Sequence, residues 1–287
     1  MADLKSLMAL GRQTRTAIFG GGDEQTWRQS NDDFDPLFDE IMLGFRWGLI
    51  TSRPGLDART RQLCGFATFL TIGQYSEVYI ERQIEGCLRA GATPQEVVEV
   101  VLQTGLFAGL YKTAIRKRLL KVFKNMGYTF GKDWGLPDPG RTTSDLKALM
   151  ERGAKIRAQQ RGEDAHPDDW KHLNDEFDPF FHELMLGLRW GTITARPQLD
   201  ARTRQLVTFA TFLTIGEYEE VHIDHQISTA LRVGAKPQEI VEVILQTGLF
   251  AGIYKWSIRS RAIEIFKKMG YKQGVDWGRP VEYPSVT

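Results

Sequence analysis

Cysteine is almost absent. Of 287 residues only Cys64 and Cys87 are cysteines, far apart and both in the first half of the chain. Two such residues make no disulfide framework, and their spacing excludes a Cys-x-x-Cys redox pair. Charge of one sign is also not in excess, with 37 basic residues against 36 acidic ones, so the basic stripe of a nucleic-acid binder is not expected. No apolar run approaches the roughly 20 residues of a membrane span. The opening segment MADLKSLMALGRQTR lacks an apolar signal-peptide core followed by a cleavage site. These absences predict a cytoplasmic protein with neither nucleic acid nor membrane as partner. Alternating β-branched stretches are scarce, which argues against a sheet. Histidine is missing from the first half altogether: His166, His172, His182, His222 and His225 all lie in the second.

What the chain does contain is itself, twice. Asp35 to Gly135 and Asp178 to Gly278 align without a gap, and about two-thirds of the roughly 100 paired positions are identical. DPLFDEIMLGFRWG pairs with DPFFHELMLGLRWG, LDARTRQL recurs unchanged, and VLQTGLFAGLYK pairs with ILQTGLFAGIYK. The length suits two domains. The repeat places them at 1–140 and 141–287, joined through the Gly/Pro-containing segment 131–141.

Helical punctuation is regular. A first helix is expected over about Asp3 to Ile18 and a second near Pro36–Thr51, stopping before Arg53-Pro54. Asp57 caps a third that ends at Gly73, and a fourth runs from about Ser76 to Ala90 with Gly91 as its stop. Thr93-Pro94-Gln95-Glu96 is a capping box that opens a fifth, and a sixth ends at Gly127. The second copy repeats the order, although Lys236 replaces Thr93 and breaks that box.

The segments LRAGATPQEVVEVVLQTGLFAG and LRVGAKPQEIVEVILQTGLFAG resemble the carboxymuconolactone decarboxylase family, which includes alkylhydroperoxidase-D-like proteins. The resemblance covers mainly Asp57–Arg116 and Asp200–Arg259. It implies an all-α fold of two homologous helical-bundle domains, and assembly into a homo-oligomer, ring-like, as a trimer or a dimer of tandem chains. It also implies one of two chemistries: cofactor-free decarboxylation of a lactone, or thiol-dependent peroxide reduction. The redox branch carries Cys-x-x-Cys-x-x-x-His on the fourth helix. Counting back from Gly234 puts Gln226, His222 and Glu219 at those places, and from Gly91 it puts Gln83, Tyr79 and Ser76 there. Without a thiolate nucleophile the peroxidase reading is disfavoured. The family's histidine is glutamine in both copies, which leaves a non-catalytic ligand-binding or scaffold protein as a third reading.

The leading expectation is a decarboxylase or related acid–base lyase or isomerase, with no cofactor and no metal, acting on a small, cyclic carboxylate. Glu219, His222 and Gln226 share one helix face, and imidazole beside a carboxylate suits proton transfer near neutral pH. His222 is therefore expected as the catalytic group, helped by Glu242 and His225. Binding is expected from Arg189 and Trp190, since a guanidinium fork suits a carboxylate and an indole can floor a ring pocket. Gln226, Gln246 and Lys255 complete the set. The bland readings also stand at this point: surface histidines, an arginine paired within the protein, and glutamine at a helix interface. Gly105-x-x-x-Gly109 and Gly248-x-x-x-Gly252 leave room for another backbone or a ligand. Cys64 and Cys87 replace Val207 and Ala230 and read as small core residues.

Overall fold

The computed structural model describes residues 3–22, 33–73, 77–162, 176–216 and 220–283. The described chain is helical, and its only β pairings are isolated bridges at Phe130–Trp134 and Gln273–Trp277. We number the helices α1 (Leu4–Phe19), α2 (Pro36–Asp39), α3 (Ala58–Ile72), α4 (Glu77–Arg89), α5 (Pro94–Ala108) and α6 (Arg116–Asn125). The second repeat gives α7 (Leu146–Arg161), α8 (Pro179–Glu183), α9 (Ala201–Ile215), α10 (Glu220–Arg232), α11 (Pro237–Ala251) and α12 (Arg259–Lys268). None is long and apolar enough to cross a membrane among the described residues.

Local chemistry sets the helix ends. The side chains of Asp3, Asp57, Asp145 and Asp200 accept from backbone N–H groups in the first turns of α1, α3, α7 and α9, which satisfies donors that a helix start leaves unpaired. Thr93 and Glu96 form the reciprocal capping box at α5. At α11 half of it survives: lysine cannot accept, yet Glu239 still takes the Lys236 N–H at 2.8 Å. Gly73 and Gly216 close α3 and α9 with φ of 86° and 87°, a left-handed turn that a Cβ would strain.

The helix expected over Pro36–Thr51 is α-helical only for its first turn. Glu40–Thr51 and, in the second repeat, Leu184–Thr194 are π-helices. Ser52 N–H bonds Trp47 C=O at 3.1 Å and Ala195 N–H bonds Trp190 C=O at 3.0 Å, five residues back rather than four. Thr51 Oγ1 and Thr192 Oγ1 donate to carbonyls with the same five-residue separation. Each π-helix crosses the first helix of its repeat backbone to backbone. A Cβ on Gly11 would lie 1.9 Å from the Leu43 carbonyl oxygen, and one on Gly48 2.0 Å from that of Leu7; Gly153 and Gly191 repeat the arrangement. Gly48→Ala therefore cannot be absorbed by a side-chain shift. It should lower stability by about 3 kcal/mol, read as a fall in the denaturation midpoint.

The compact units do not follow the repeats. One consists of Met1–Ala92 with Lys236–Thr287, the other of Thr93–Ala235. In the first unit α11 of the second repeat packs on α3 of the first; in the second unit α5 of the first repeat packs on α9 of the second. The sequence repeats over Asp35–Gly135 and Asp178–Gly278, while packing exchanges the fifth helices of the two copies. The core of each unit is the apolar side of these helices: Leu63, Phe66 and Leu70 with Ile84 in the first, Leu206, Phe209 and Leu213 with Ile227 in the second, all at 0 % exposure.

Candidate functional site

Each unit holds two polar features built from equivalent residues. The first joins the exchanged helices. In the first unit Glu242, fully buried, accepts from Arg53 Nε at 3.0 Å on both oxygens, from Arg61 Nη2 at 3.1 Å and from Gln238 Nε2 at 2.8 Å. Arg61 Nη2 also donates to the Arg53 carbonyl at 2.9 Å, and Gln246 Nε2 donates to the Arg61 carbonyl at 2.7 Å. In the second unit Glu99 accepts from Arg196 Nε at 2.9 and 3.0 Å, Arg204 Nη2 at 3.2 Å and Gln95 Nε2 at 2.9 Å. Arg204 Nη1 donates to Gln103 Oε1 at 2.9 Å, and Gln103 Nε2 donates to the Arg204 carbonyl and to Thr208 Oγ1. Buried charges of opposite sign with their hydrogen-bonding capacity largely filled make a structural knot.

The second feature brings together Arg189 and Arg161, which meet no carboxylate among the described residues. Arg189 rises from the second π-helix. Its guanidinium carbon sits 5.1 Å from the centroid of its neighbour Trp190 and 5.1 Å from that of Phe107, carried by the exchanged helix α5. Phe107 packs against Phe212 at 5.0 Å. Arg161, at the end of α7, approaches the same indole at 5.4 Å, with its Nε buried and making no hydrogen bond among the described residues. Burial pushes Arg189 down to about 9, and the like charges of Arg161 and Arg157 push the same way. Arg161 is lowered to about 10, by burial first and then by Arg157. A guanidinium approached mainly by other guanidiniums in a desolvated place is costly; an anion there would remove that cost.

Two histidines stand beside this cluster on α10. His222 is exposed and His225 half-buried. Burial, then Arg161, His222 and Arg157, hold His225 down to about 4, with Asp224 acting weakly the other way. At neutral pH its imidazole is uncharged and can accept a proton. Gln226, one residue on, is buried.

The first unit presents the related set. Arg46, from the first π-helix, lies 4.8 Å from the Trp47 centroid and 5.1 Å from that of Phe250, with Nε buried and unbonded among the described residues. Phe250 packs on Phe69 at 4.8 Å. Burial lowers Arg46 to about 10, nearby Tyr79 acting against this and Arg15 with it. Where the second unit has Arg161, the first has Phe19, edge-on to Trp47 at 5.4 Å. Tyr79, 54 % exposed, and Arg82 replace His222 and His225.

The structure thus gathers Arg189, Trp190, His222, His225 and Gln226 in the second unit. It places Glu242, Gln246 and Lys255 in the first. Glu242, expected to help His222, belongs to the other unit. Glu242 is fully buried, its oxygens taken by two arginines and a glutamine, and the segments of its unit contain no histidine. Gln246 is likewise spent in the knot. Lys255 is half-buried and lowered by burial. The open space expected at Gly248 is filled, since a Cβ there would lie 1.9 Å from the indole nitrogen of Trp256. Arg157, Arg161 and Phe107 were not singled out by sequence. The alignment of Arg157 with Arg15 was the one available signal; Arg161 aligns with Phe19, so the first copy has no arginine there. Ser76, Glu219, His166 and His172 lie outside the described residues.

Both cysteines are buried, and burial pushes the Cys87 thiol up, opposite to what a thiolate nucleophile needs. Among the described residues no group of three or more His, Cys, Asp or Glu side chains is arranged to hold a metal ion.

The profile of the carboxymuconolactone decarboxylase family matches residues 36–116 and 179–262. A protein of Acinetobacter baylyi named 4-carboxymuconolactone decarboxylase is 31% identical over 118 residues, covering 41% of this chain and 87% of that protein. An uncharacterised 15.0 kDa protein of Paracoccus denitrificans, from the nqo9–nqo10 intergenic region, is 33% identical over 75 residues, 26% of this chain and 56% of the relative. A crystal structure from Burkholderia xenovorans LB400, provisionally assigned as a gamma-carboxymuconolactone decarboxylase subunit, superposes with a TM-score of 0.51 at 21% identity. It covers 94% of this chain and 99% of its own, which is a likeness of fold.

Proposed function

The chain belongs to the carboxymuconolactone decarboxylase family, and from that premise we propose that it is a cofactor-independent carboxy-lyase, or a related acid–base lyase or isomerase, whose working site is the second unit. The observation that carries this reading is the convergence of Arg161 and Arg189 on Trp190, beside Arg157 and two histidines. A small ring-shaped carboxylate meets guanidinium forks at its anionic groups and Trp190 and Phe107 at its ring.

The chemistry assigns the roles. Decarboxylation breaks the bond from carbon to the carboxylate, releases CO2 and leaves an electron pair on the ring system; a proton must then reach carbon. A guanidinium clamped on the departing carboxylate would stabilise the ground state and slow the step. The arginines act better on a second anionic group, or on the oxygen that gathers charge as CO2 leaves. His225, held neutral, is not a source of an imidazolium proton at neutral pH. His222, exposed one turn away, is the proton donor to carbon.

The test is turnover of 4-carboxymuconolactone, the compound in the name of the Acinetobacter relative. His222→Ala should lower kcat by about 10²–10⁴-fold with little change in KM, while Arg189→Met should raise KM. Unchanged turnover in His222→Ala would sink the assignment. Gln83 and Gln226, both buried at the place where the family tends to carry histidine, favour a second reading as a ligand-binding protein without turnover. Tight binding of the lactone with no CO2 release would select it.

A further inference from the structure

The two units are not copies in their chemistry, and the differences concentrate on what faces the indole. In the second unit guanidiniums approach Trp190 at 5.1 Å (Arg189) and 5.4 Å (Arg161). In the first unit Arg46 approaches Trp47 at 4.8 Å, and the Phe19 ring lies edge-on to the same indole at 5.4 Å. The exchanged helix still supplies its phenylalanine, Phe250 at 5.1 Å from Arg46. Nε of Arg46 is out of solvent and makes no hydrogen bond among the described residues, so the fork retains donor capacity for an anion. Arg82, at the place of His225, adds a cation on α4, but it already has a partner. No imidazole is present in this unit: its sequence segments contain no histidine at all. Tyr79, at the place of His222, offers a phenol where the second unit offers the imidazole assigned to delivering a proton to carbon.

We infer that the first unit is a second binding site, one that takes a ring-bearing monocarboxylate through Arg46, Trp47 and Phe250 and does not turn it over. The inference rests on the reading of the second unit as an anion site. The Phe19 edge offers an apolar wall where Arg161 offers donors, so the preferred ligand carries its single carboxylate at Arg46 and an uncharged edge at Phe19. A ligand of this class has one carboxylate fewer than a dicarboxylate that would engage both Arg161 and Arg189. It therefore matches what remains after such a substrate has lost CO2, and the reaction's own product class is the natural occupant.

The test is calorimetric titration of the whole chain with two probes, benzoate and benzene-1,3-dicarboxylate. Benzoate should bind the wild type at a site that Arg46→Met weakens on the order of thirtyfold and that Arg189→Met leaves intact. The dicarboxylate should show the reverse dependence. Phe19→Arg, made in the Arg189→Met background, should restore dicarboxylate binding, now in the first unit, by roughly tenfold; this gain of binding separates the site from any loss of folding. Benzoate binding that survives Arg46→Met unchanged, or that is lost only with Arg189→Met, overturns the inference while leaving the second-unit reading in place. Failure of both probes to bind the wild type overturns both.

Discussion

Replacing Glu242 with alanine should destabilise the protein by about 3–5 kcal/mol, more than any surface change. The reason is asymmetric. With Glu242 present, the half-buried Arg53 and the buried Arg61 are neutralised by a carboxylate at 3.0 and 3.1 Å, and Gln238 completes its coordination. Without it, two guanidiniums remain in the first unit with no counter-charge. Burial already lowers Arg61, and Glu242 is the main group opposing that effect. Denaturant unfolding of the wild type, Glu242→Ala, Arg61→Met and the double variant separates the explanations. If the pair is a knot, the double variant loses far less than the sum of the singles. Additive losses would mean that Glu242 acts through something other than these arginines. Glu99→Ala should behave alike in the second unit, because Arg196 and Arg204 hold it at 2.8 and 3.2 Å.

Cutting the chain between its repeats should have a still larger effect. A fragment of residues 1–140 keeps α3 but loses α11, and keeps α5 but loses α9. Arg53 and Arg61 then lack Glu242, and Glu99 lacks Arg196 and Arg204. The single fragment therefore should have no cooperative transition as a monomer. Its only route to satisfied charges is a second copy: the residues of the knot are the same in both repeats, so Glu99 of one copy can take Arg53 and Arg61 of another. The fragment should fold as a dimer, with a melting temperature that rises with concentration. Sedimentation and thermal scans at several concentrations check this. A folded monomer with a concentration-independent melt would show that the exchange of fifth helices is dispensable.

Much of the fold was legible in the sequence because its causes are local. Asp57, Asp200, Thr93 and the glycines after each helix act within one turn of where they sit, and the expected boundaries agree with the helices found. The π-helices were not legible. A shift of hydrogen bonding from four residues to five leaves the same apolar residues on the buried side; the five-residue hydrogen bonds, the crossing at Gly11 and Gly48, and its copy at Gly153 and Gly191, reveal it. The site was legible in part. Arg189, Trp190, His222, His225 and Gln226 do fall in one unit, since the π-helix and α10 that carry them belong to one repeat and both pack on α7.

The sequence by itself determined the family, the helical class, the twofold repetition and the confinement of histidine to one copy, all properties of residue identity and short-range order. Only the tertiary structure decided which helix serves which unit. Both repeats carry the same Glu, Gln and Phe on their fifth helix and the same arginines before and in their third. Pairing within a repeat and pairing across repeats therefore satisfy identical charges, and no residue pattern distinguishes them. The exchange placed Glu242 in a closed ion-pair knot with Arg53 and Arg61. It put Phe107 beneath Arg189 and left Arg161 and Arg189 beside one indole, without a carboxylate of their own among the described residues.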